Sequence, residues 1–138
     1  MFKVLKIDHI GIAVPELDAM KGFFQDTLGI QNAGEETVED QKVTTAFYPV
    51  GDSELEFLES TSPDGPIAKF IEKNKGRGGI QHIALRVDDI EAAIAHVKEQ
   101  GYQMIDEKPR RGAGGAQIAF VHPKSTSGIL IELSQRED

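Results

Sequence analysis

The stretch IDHIGIAV at residues 7–14 returns in altered form as IQHIALRV at residues 80–87. Further matches follow in the same order: Pro15–Ala19 with Asp88–Ala92, Ala46–Phe47 with Ala119–Phe120 and, after a short insertion in the second copy, Leu55–Leu58 with Ile131–Ser134. Several short matches in one order indicate a duplicated unit of roughly 65–70 residues, each copy repeating one supersecondary structure.

Each copy has the pattern of one strand, one helix and three more strands. In the first copy, near-alternate apolar residues predict a strand over 4–14, and Pro15 and Gly29 bracket a helix over 16–28. Three strands are then predicted over 30–36, 42–50 and 53–60. The second copy predicts a strand over 79–87, a helix over 89–100 and strands near 102–106, 115–122 and 128–134.

The sequence therefore predicts an α+β fold, a single domain over residues 1–138 made of two paired βαβββ modules. Module one covers about residues 3–60 and module two about residues 79–134, and a linker helix over 66–75 lies between them. A four-stranded sheet with a helix on one face leaves its other face open. The modules are therefore expected to pair into a curved mixed sheet that encloses a cleft.

The composition excludes several classes of function. The net charge of −8 argues against a nucleic-acid-binding protein, which usually carries a basic face. The absence of cysteine excludes disulfides, thiolate zinc sites and a cysteine nucleophile. The N-terminal segment lacks the apolar stretch of a signal peptide, and no run approaches the roughly 18 apolar residues of a membrane span. We expect a cytoplasmic protein.

Two histidines and two glutamates stand at equivalent places in the repeat. His9 and His82 lie on the first strand of each module, and Glu56 and Glu132 lie on the last strand, between apolar neighbours. A lone histidine in a strand is usually structural, and a lone glutamate usually faces solvent. Here both recur in a chain with four histidines, and burying a carboxylate is costly unless it is paired or ligated. If the first and last strands are neighbours, the four side chains suit one divalent metal ion.

The remaining histidines and the basic residues have weaker patterns. His96 falls inside the second helix and His122 near a turn, so we predict both as surface residues. Basic residues form two clusters in this acidic chain, which suit an anionic small molecule although solvated charge is the common explanation: Lys69, Lys73, Lys75 and Arg77, then Lys108, Arg110, Arg111 and Lys124.

The chain resembles the vicinal oxygen chelate (glyoxalase/bleomycin resistance/dioxygenase) superfamily, and within it the methylmalonyl-CoA epimerase family. The similar stretches are DHIGIAVPEL at 8–17, PIAKFIEKNKGRGGIQHIALRVDDIEAA at 66–93 and AGGAQIAFVHPKSTSGILIELSQ at 113–135. With the region 41–60 they cover nearly the whole chain. The linker and the C-terminal motif are typical of the epimerases, whereas DHI and HIAL are typical only of the superfamily.

This resemblance implies a metal-dependent epimerase of propionate metabolism. It would interconvert the (R) and (S) forms of methylmalonyl-CoA by removing the proton between thioester and carboxylate. The implied metal ligands are His9, Glu56, His82 and Glu132, the implied ion is Co²⁺, or alternatively Mn²⁺, Ni²⁺ or Zn²⁺, and the implied assembly is a homodimer.

One position departs from the family pattern. Some epimerases carry a second catalytic carboxylate on the third strand, four residues after a glutamine, where this chain has Gln41 and then Thr45. Glu132 is the candidate for the first base, because it belongs to the site in any version of the fold. The candidates for a second proton-transfer or orienting group are Thr45 itself, Glu56, a water or a neighbouring carboxylate such as Glu39.

The coenzyme A tail of such a substrate requires anchoring rather than chemistry. The candidate residues come from the two basic clusters and a glycine-rich stretch that allows close backbone approach: Lys73, Lys75, Arg111, Gly114 and Lys124. Two alternatives remain open. One is a lactoylglutathione lyase of the glyoxalase I type, with the same ligands, and the other is a non-enzymatic small-molecule-binding protein of the same fold.

Overall fold

The structure, a computed structural model, describes residues 1–137. The strands are β1 (Val4–Ala13), β2 (Glu35–Val38), β3 (Val43–Val50), β4 (Ser53–Ser60), β5 (Gly79–Val87), β6 (Arg110–Arg111), β7 (Gln117–Val121) and β8 (Ile131–Gln135). The α-helices are α1 (Pro66–Lys73) and α2 (Ile90–Glu99). Single 3-10 turns lie at Leu17–Met20, Glu39–Gln41, Ala113–Gly115 and Pro123–Ser125, and Lys21–Thr27 is a π-helical segment.

The chain forms two compact units. The first unit is His9–Gln81, and the second unit joins Met1–Asp8 to the chain from His82 onward. In the first unit the strand order is β2-β3-β4-β1, where β3 is antiparallel to both β2 and β4 and β1 is parallel to β4. Apolar side chains lie on both faces of this sheet. Ala46, Tyr48 and Phe57 pack beneath the helical segment on one face, and Val43 and Leu58 pack beneath α1 on the other.

The second unit has the same arrangement. Its strand order is β5-β8-β7-β6, with β5 parallel to β8 and the other neighbours antiparallel. Asp89 precedes helix α2, and its side chain accepts a hydrogen bond from Ala92 N at 3.1 Å and so caps the first turn. Ile90 and Ile94 on the buried face of α2 pack against Val87 of β5 and Leu133 of β8. Each unit thus contains one parallel pair of strands, β1 with β4 in the first unit and β5 with β8 in the second.

The segment predicted as a helix over 16–28 is helical, but it is not an α-helix. A 3-10 turn leads into wider π-helical turns, in which Leu28 N donates to Phe23 O at 2.9 Å. The wider turns leave Phe23 56% exposed, while Phe24 packs on Phe57 with ring centroids 4.9 Å apart. The apolar spacing of this segment did not determine its helical pitch, and Leu28 is exposed as well as Phe23.

Two predicted strands also differ from the structure. The first begins only at Glu35, because Asn32 Oδ1 accepts from Gly34 N at 2.8 Å and forms a turn before it. In place of the strand near 102–106, Met104 forms a single bridge with Val121. Pairing ends there because the Asp106 carboxylate accepts from Phe120 N at 2.8 Å and occupies that backbone donor.

Gly78 lies where the chain enters β5, and its backbone passes close to β1. A Cβ atom at this position would lie 2.6 Å from the carbonyl oxygen of Ala13, a backbone atom that cannot move aside cheaply. We expect Gly78→Ala to lower the free energy of unfolding by about 1–3 kcal/mol, as overpacking does. Gly22→Ala is the matched control, because nothing lies within 4 Å of its added methyl group. Thermal denaturation of the two variants measures the difference, and equal midpoints would contradict this packing.

Candidate metal centre

In the first unit, His9 and Glu56 form a buried pair. Strands β1 and β4 are parallel, with Gly11 directly opposite Glu56 and His9 opposite Glu54. Gly11 has no side chain, so the histidine two residues earlier on the same face meets the carboxylate diagonally. His9 Nδ1 lies 3.2 Å from Glu56 Oε2, and the two residues are only 3% and 2% exposed.

In the second unit, His82 and Glu132 repeat this geometry. Strands β5 and β8 are parallel, and the small residue Ala84 lies directly opposite Glu132. His82, two residues before Ala84, again meets the carboxylate diagonally. Its Nε2 atom lies 3.2 Å from Glu132 Oε1, and both residues are buried.

A phenylalanine lies beside the glutamate in both pairs. Phe47 is the β3 partner of Glu56, and Phe120 is the β7 partner of Glu132. The Phe120 ring meets His82 edge-on, with centroids 5.6 Å apart, and the Arg110 guanidinium lies over the same ring at 5.6 Å. These contacts restrict the His82 ring. The repeated Ala-Phe dipeptide in the sequence was the signal for this position.

The chemistry of the two pairs fits a divalent metal ion. Each pair offers an imidazole nitrogen and a carboxylate oxygen, the ligands that ions such as Co²⁺, Mn²⁺, Ni²⁺ and Zn²⁺ accept in proteins. Both carboxylates lie inside apolar strands, where charge is costly without a partner. All four side chains belong to clusters of histidine and acidic residues whose ligand atoms lie close enough together to hold a metal ion.

Asp8, which precedes His9, is the centre of an ion-pair network that the sequence did not reveal. Its carboxylate accepts from Arg86 Nε at 2.6 Å and from Arg136 Nε at 3.1 Å, and its side chain is 2% exposed. Arg136 also reaches the carbonyl oxygen of Ala113. The network ties the start of β1 to β5, to the segment after β8 and to the glycine-rich turn.

The candidates for a second proton-transfer group lie in different surroundings. Thr45 on β3 is 1% exposed and shares its sheet face with Glu56, because Phe47 and Thr45 both point to that face. Glu56 belongs to the buried pair. Glu39 lies exposed in the 3-10 turn before β3. Of the residues chosen from sequence, Thr45 is therefore the nearest along the sheet to the first pair.

The basic candidates are divided between the two units. Lys73 ends α1 and Lys75 follows it, both exposed, in the first unit. In the second unit, Arg111 and Gly114 lie just before β7, whereas Lys124 lies in the turn after its other end. His96 packs against the Phe2 ring and His122 accepts from Lys124 N, so each is half-buried rather than fully exposed.

Comparison with known proteins gives one family. Residues 8–120 match the model of the Glyoxalase/Bleomycin resistance protein/Dioxygenase superfamily. The ethylmalonyl-CoA/methylmalonyl-CoA epimerase of Cereibacter sphaeroides is 37% identical over 131 residues, which cover 94% of this chain and 97% of that protein.

Solved structures give the same result. The methylmalonyl-CoA epimerase of Mycobacterium tuberculosis superimposes with a TM-score of 0.92 at 34% identity, covering 98% of this chain and 90% of that one. A variant of the Streptomyces coelicolor methylmalonyl-CoA epimerase, in complex with 2-nitronate-propionyl-CoA, gives 0.91 at 36% identity, covering 99% and 100%. These likenesses confirm the predicted fold class.

Proposed function

Because this chain belongs to the Glyoxalase/Bleomycin resistance protein/Dioxygenase superfamily, we propose that it is a metal-dependent epimerase of methylmalonyl-CoA. It interconverts the (R) and (S) forms by proton transfer at the carbon between the thioester and the carboxylate. One observation carries the proposal: a buried His–Glu pair recurs in each unit of a chain that aligns almost end to end with methylmalonyl-CoA epimerases.

His9, Glu56, His82 and Glu132 are the proposed ligands of one divalent ion, Co²⁺ or alternatively Mn²⁺, Ni²⁺ or Zn²⁺. The support is local to each unit: nitrogen and oxygen atoms 3.2 Å apart and side chains almost fully buried. When bound, such an ion supplies Lewis-acid stabilisation of the negative charge that develops during proton removal.

Glu132 is the proposed base for one face of the substrate. Its carboxylate takes the C2 proton, the C–H electron pair passes into the enolate, and a second group delivers a proton to the opposite face. Phe120 and the buried strands around Glu132 exclude bulk water from this carboxylate. Exclusion of water strengthens the interactions that stabilise the developing charge.

The proposed contacts with the coenzyme A tail are Lys73, Lys75, Arg111, Gly114 and Lys124. We expect Lys73→Glu, Lys75→Glu or Arg111→Glu to raise KM for the coenzyme A thioester more than it lowers kcat, because an interaction present in both ground and transition states is removed. Steady-state kinetics with the whole thioester and with a truncated thioester lacking the nucleotide measure this.

Lys98→Glu is the control, since Lys98 and Lys73 both occupy the last turn of a helix; because Lys98 also pairs with Glu107 at 2.6 Å, the thermal stability of this variant is measured beside its KM. It should leave KM nearly unchanged. If the truncated thioester shows the same rise in KM as the whole one, the basic residues do not contact the nucleotide phosphates.

One experiment tests the function and separates it from the alternatives. The protein, loaded with Co²⁺, is incubated in D₂O with (R)- or (S)-methylmalonyl-CoA, and deuterium at C2 and the ratio of epimers are followed by NMR. An epimerase incorporates deuterium at C2 and converts either starting epimer into a mixture of both. Turnover of the hemithioacetal of methylglyoxal and glutathione instead would identify a lactoylglutathione lyase. Binding without turnover of either substrate would identify a non-enzymatic binding protein.

The proposed assembly is a homodimer located in the cytoplasm and serving propionate metabolism. Exposed apolar side chains on β1 support an association surface, since Leu5 is 56% and Ile7 48% exposed. Sedimentation equilibrium measures the assembly, and a mass of one chain at all concentrations would contradict it. Among residues 1–137, the helices are too short and too polar to cross a membrane.

A further inference from the structure

The glycine-rich turn, residues 112–116, joins β6 to β7 in the second unit and contains Gly114, a proposed contact of the coenzyme A tail. Strand β6 has only two residues, so the hairpin itself holds this turn weakly. Gly114 and Gly115 both have left-handed backbones, with φ of 71° and 78°. Glycine loses more conformational freedom on ordering than other residues do. A contact from outside the hairpin is therefore needed to keep the turn in one conformation.

Arg136, the residue after β8, provides that contact. Its Nη1 atom donates to the carbonyl oxygen of Ala113 at 3.4 Å. The same atom lies against Gly114, where an added Cβ would be only 2.6 Å from Nη1. At Gly115 an added Cβ would have no atom within 4 Å. The guanidinium of Arg136 thus contacts the turn at two successive residues, Ala113 and Gly114.

The guanidinium of Arg136 is itself fixed by Asp8. The two carboxylate oxygens of Asp8 accept from Arg136 Nε at 3.1 Å and from Nη2 at 3.2 Å, which is a bidentate pair. The carboxylate is buried and also accepts from Arg86 Nε of β5 at 2.6 Å. A bidentate pair fixes the plane of a guanidinium as well as its position. Arg136 therefore yields less readily to a methyl group at Gly114 than the end of a solvated arginine would.

We propose that Arg136 is a positioning residue for the coenzyme A thioester and acts through the glycine-rich turn. Held by Asp8, its guanidinium fixes the backbone of Gly114 before the thioester binds. A binding segment that is already ordered lowers the conformational cost of association. This role rests on the proposed epimerase function, in which Gly114 contacts the coenzyme A tail.

The first test compares Arg136→Gln with Arg86→Gln. Both variants remove a guanidinium from Asp8, but Arg136 also contacts the glycine-rich turn, whereas Arg86 lies on β5. In Arg136→Gln, KM for methylmalonyl-CoA should rise at least about tenfold, the cost of ordering roughly one residue of the turn on binding. Its kcat should stay within about threefold of the parent, because the bound state is still reached. Arg86→Gln should keep KM within about threefold of the parent.

The second test compares Gly114→Ala with Gly115→Ala. Both substitutions place alanine in a left-handed conformation, but the methyl group at Gly114 also meets the guanidinium of Arg136. KM should therefore rise at least about fivefold more in Gly114→Ala than in Gly115→Ala. In the background of Arg136→Gln this difference should disappear. A direct clash between the new methyl group and the thioester would persist in that background and would contradict the proposed route through Arg136.

Hydrogen–deuterium exchange of backbone amides gives a measurement that does not depend on activity. The Gly112 amide, which donates to Ala116 O at 2.9 Å, should exchange at least about tenfold faster in Arg136→Gln than in the parent or in Arg86→Gln. Unchanged exchange would overturn the hold of Arg136 on the turn. Faster exchange with an unchanged KM, or equal losses of kcat in Arg136→Gln and Arg86→Gln, would overturn its role in thioester binding. An inactive parent protein would overturn the proposed function itself, and this role with it.

Discussion

Replacing His82 with alanine is expected to abolish stoichiometric metal binding. The parent protein should hold about one divalent ion per chain, and the variant should bind it at least about a hundredfold more weakly, since even the loss of a partner outside the ligand set costs up to that amount. His9→Ala should do the same, because His9 and His82 occupy equivalent places beside Glu56 and Glu132. Metal analysis of the purified chains and titration of the apoprotein with Co²⁺ measure the loss.

The control for this experiment is His122→Ala. His122 is half-buried, its Nδ1 atom accepts from Lys124 N at 3.1 Å, and it belongs to neither pair. Its removal should leave metal content unchanged. Removing His82 also leaves a buried carboxylate without that partner, so circular dichroism must first show that the variant is folded. Full metal content in folded His9→Ala and His82→Ala would refute the proposed ligands.

The sequence was sufficient to predict the His–Glu pairs because the repeat and the period of a strand act together. The repeat placed His9 with His82 and Glu56 with Glu132, and alternation decided which neighbours share a face. The small residues Gly11 and Ala84, two positions after each histidine, complete the pattern. They could have been identified from the same alignment of the two copies.

The register of β2 could not be predicted, because it depends on contacts made after the chain folds. The sequence placed a strand over 30–36, and an error of a few residues in a strand leaves the face of each side chain undetermined. The register follows from the Thr37–Thr44 hydrogen bond and from Val38 beneath α1, both of which bring together segments that no local pattern pairs.

The buried charges of the second unit were missed for a related reason. Asp8, Arg86 and Arg136 are far apart in sequence and have no equivalents in the repeat, so each appears as an ordinary charged residue. Only the packing of β1 beside β5 within this unit brings the two guanidinium groups to one carboxylate. Long-range ion pairs of this kind require the tertiary structure.

Replacing Glu132 with glutamine is expected to lower epimerisation at least about a hundredfold, the lower end of what a general base contributes. The amide keeps the size of the side chain and can still offer an oxygen to a metal ion, so metal content should fall less than activity. Thr45→Val is the comparison, because Thr45 lies on the same face as Glu56 yet carries only a hydroxyl. It should cost less than about tenfold, the loss of an orienting contact rather than of a base.

The decisive measurement is kcat together with deuterium incorporation into each epimer, at matched metal occupancy. Near-parental activity in metal-loaded Glu132→Gln would make Glu132 only a ligand. Damage in Thr45→Val equal to that in Glu132→Gln would instead make the Thr45 hydroxyl part of the proton path.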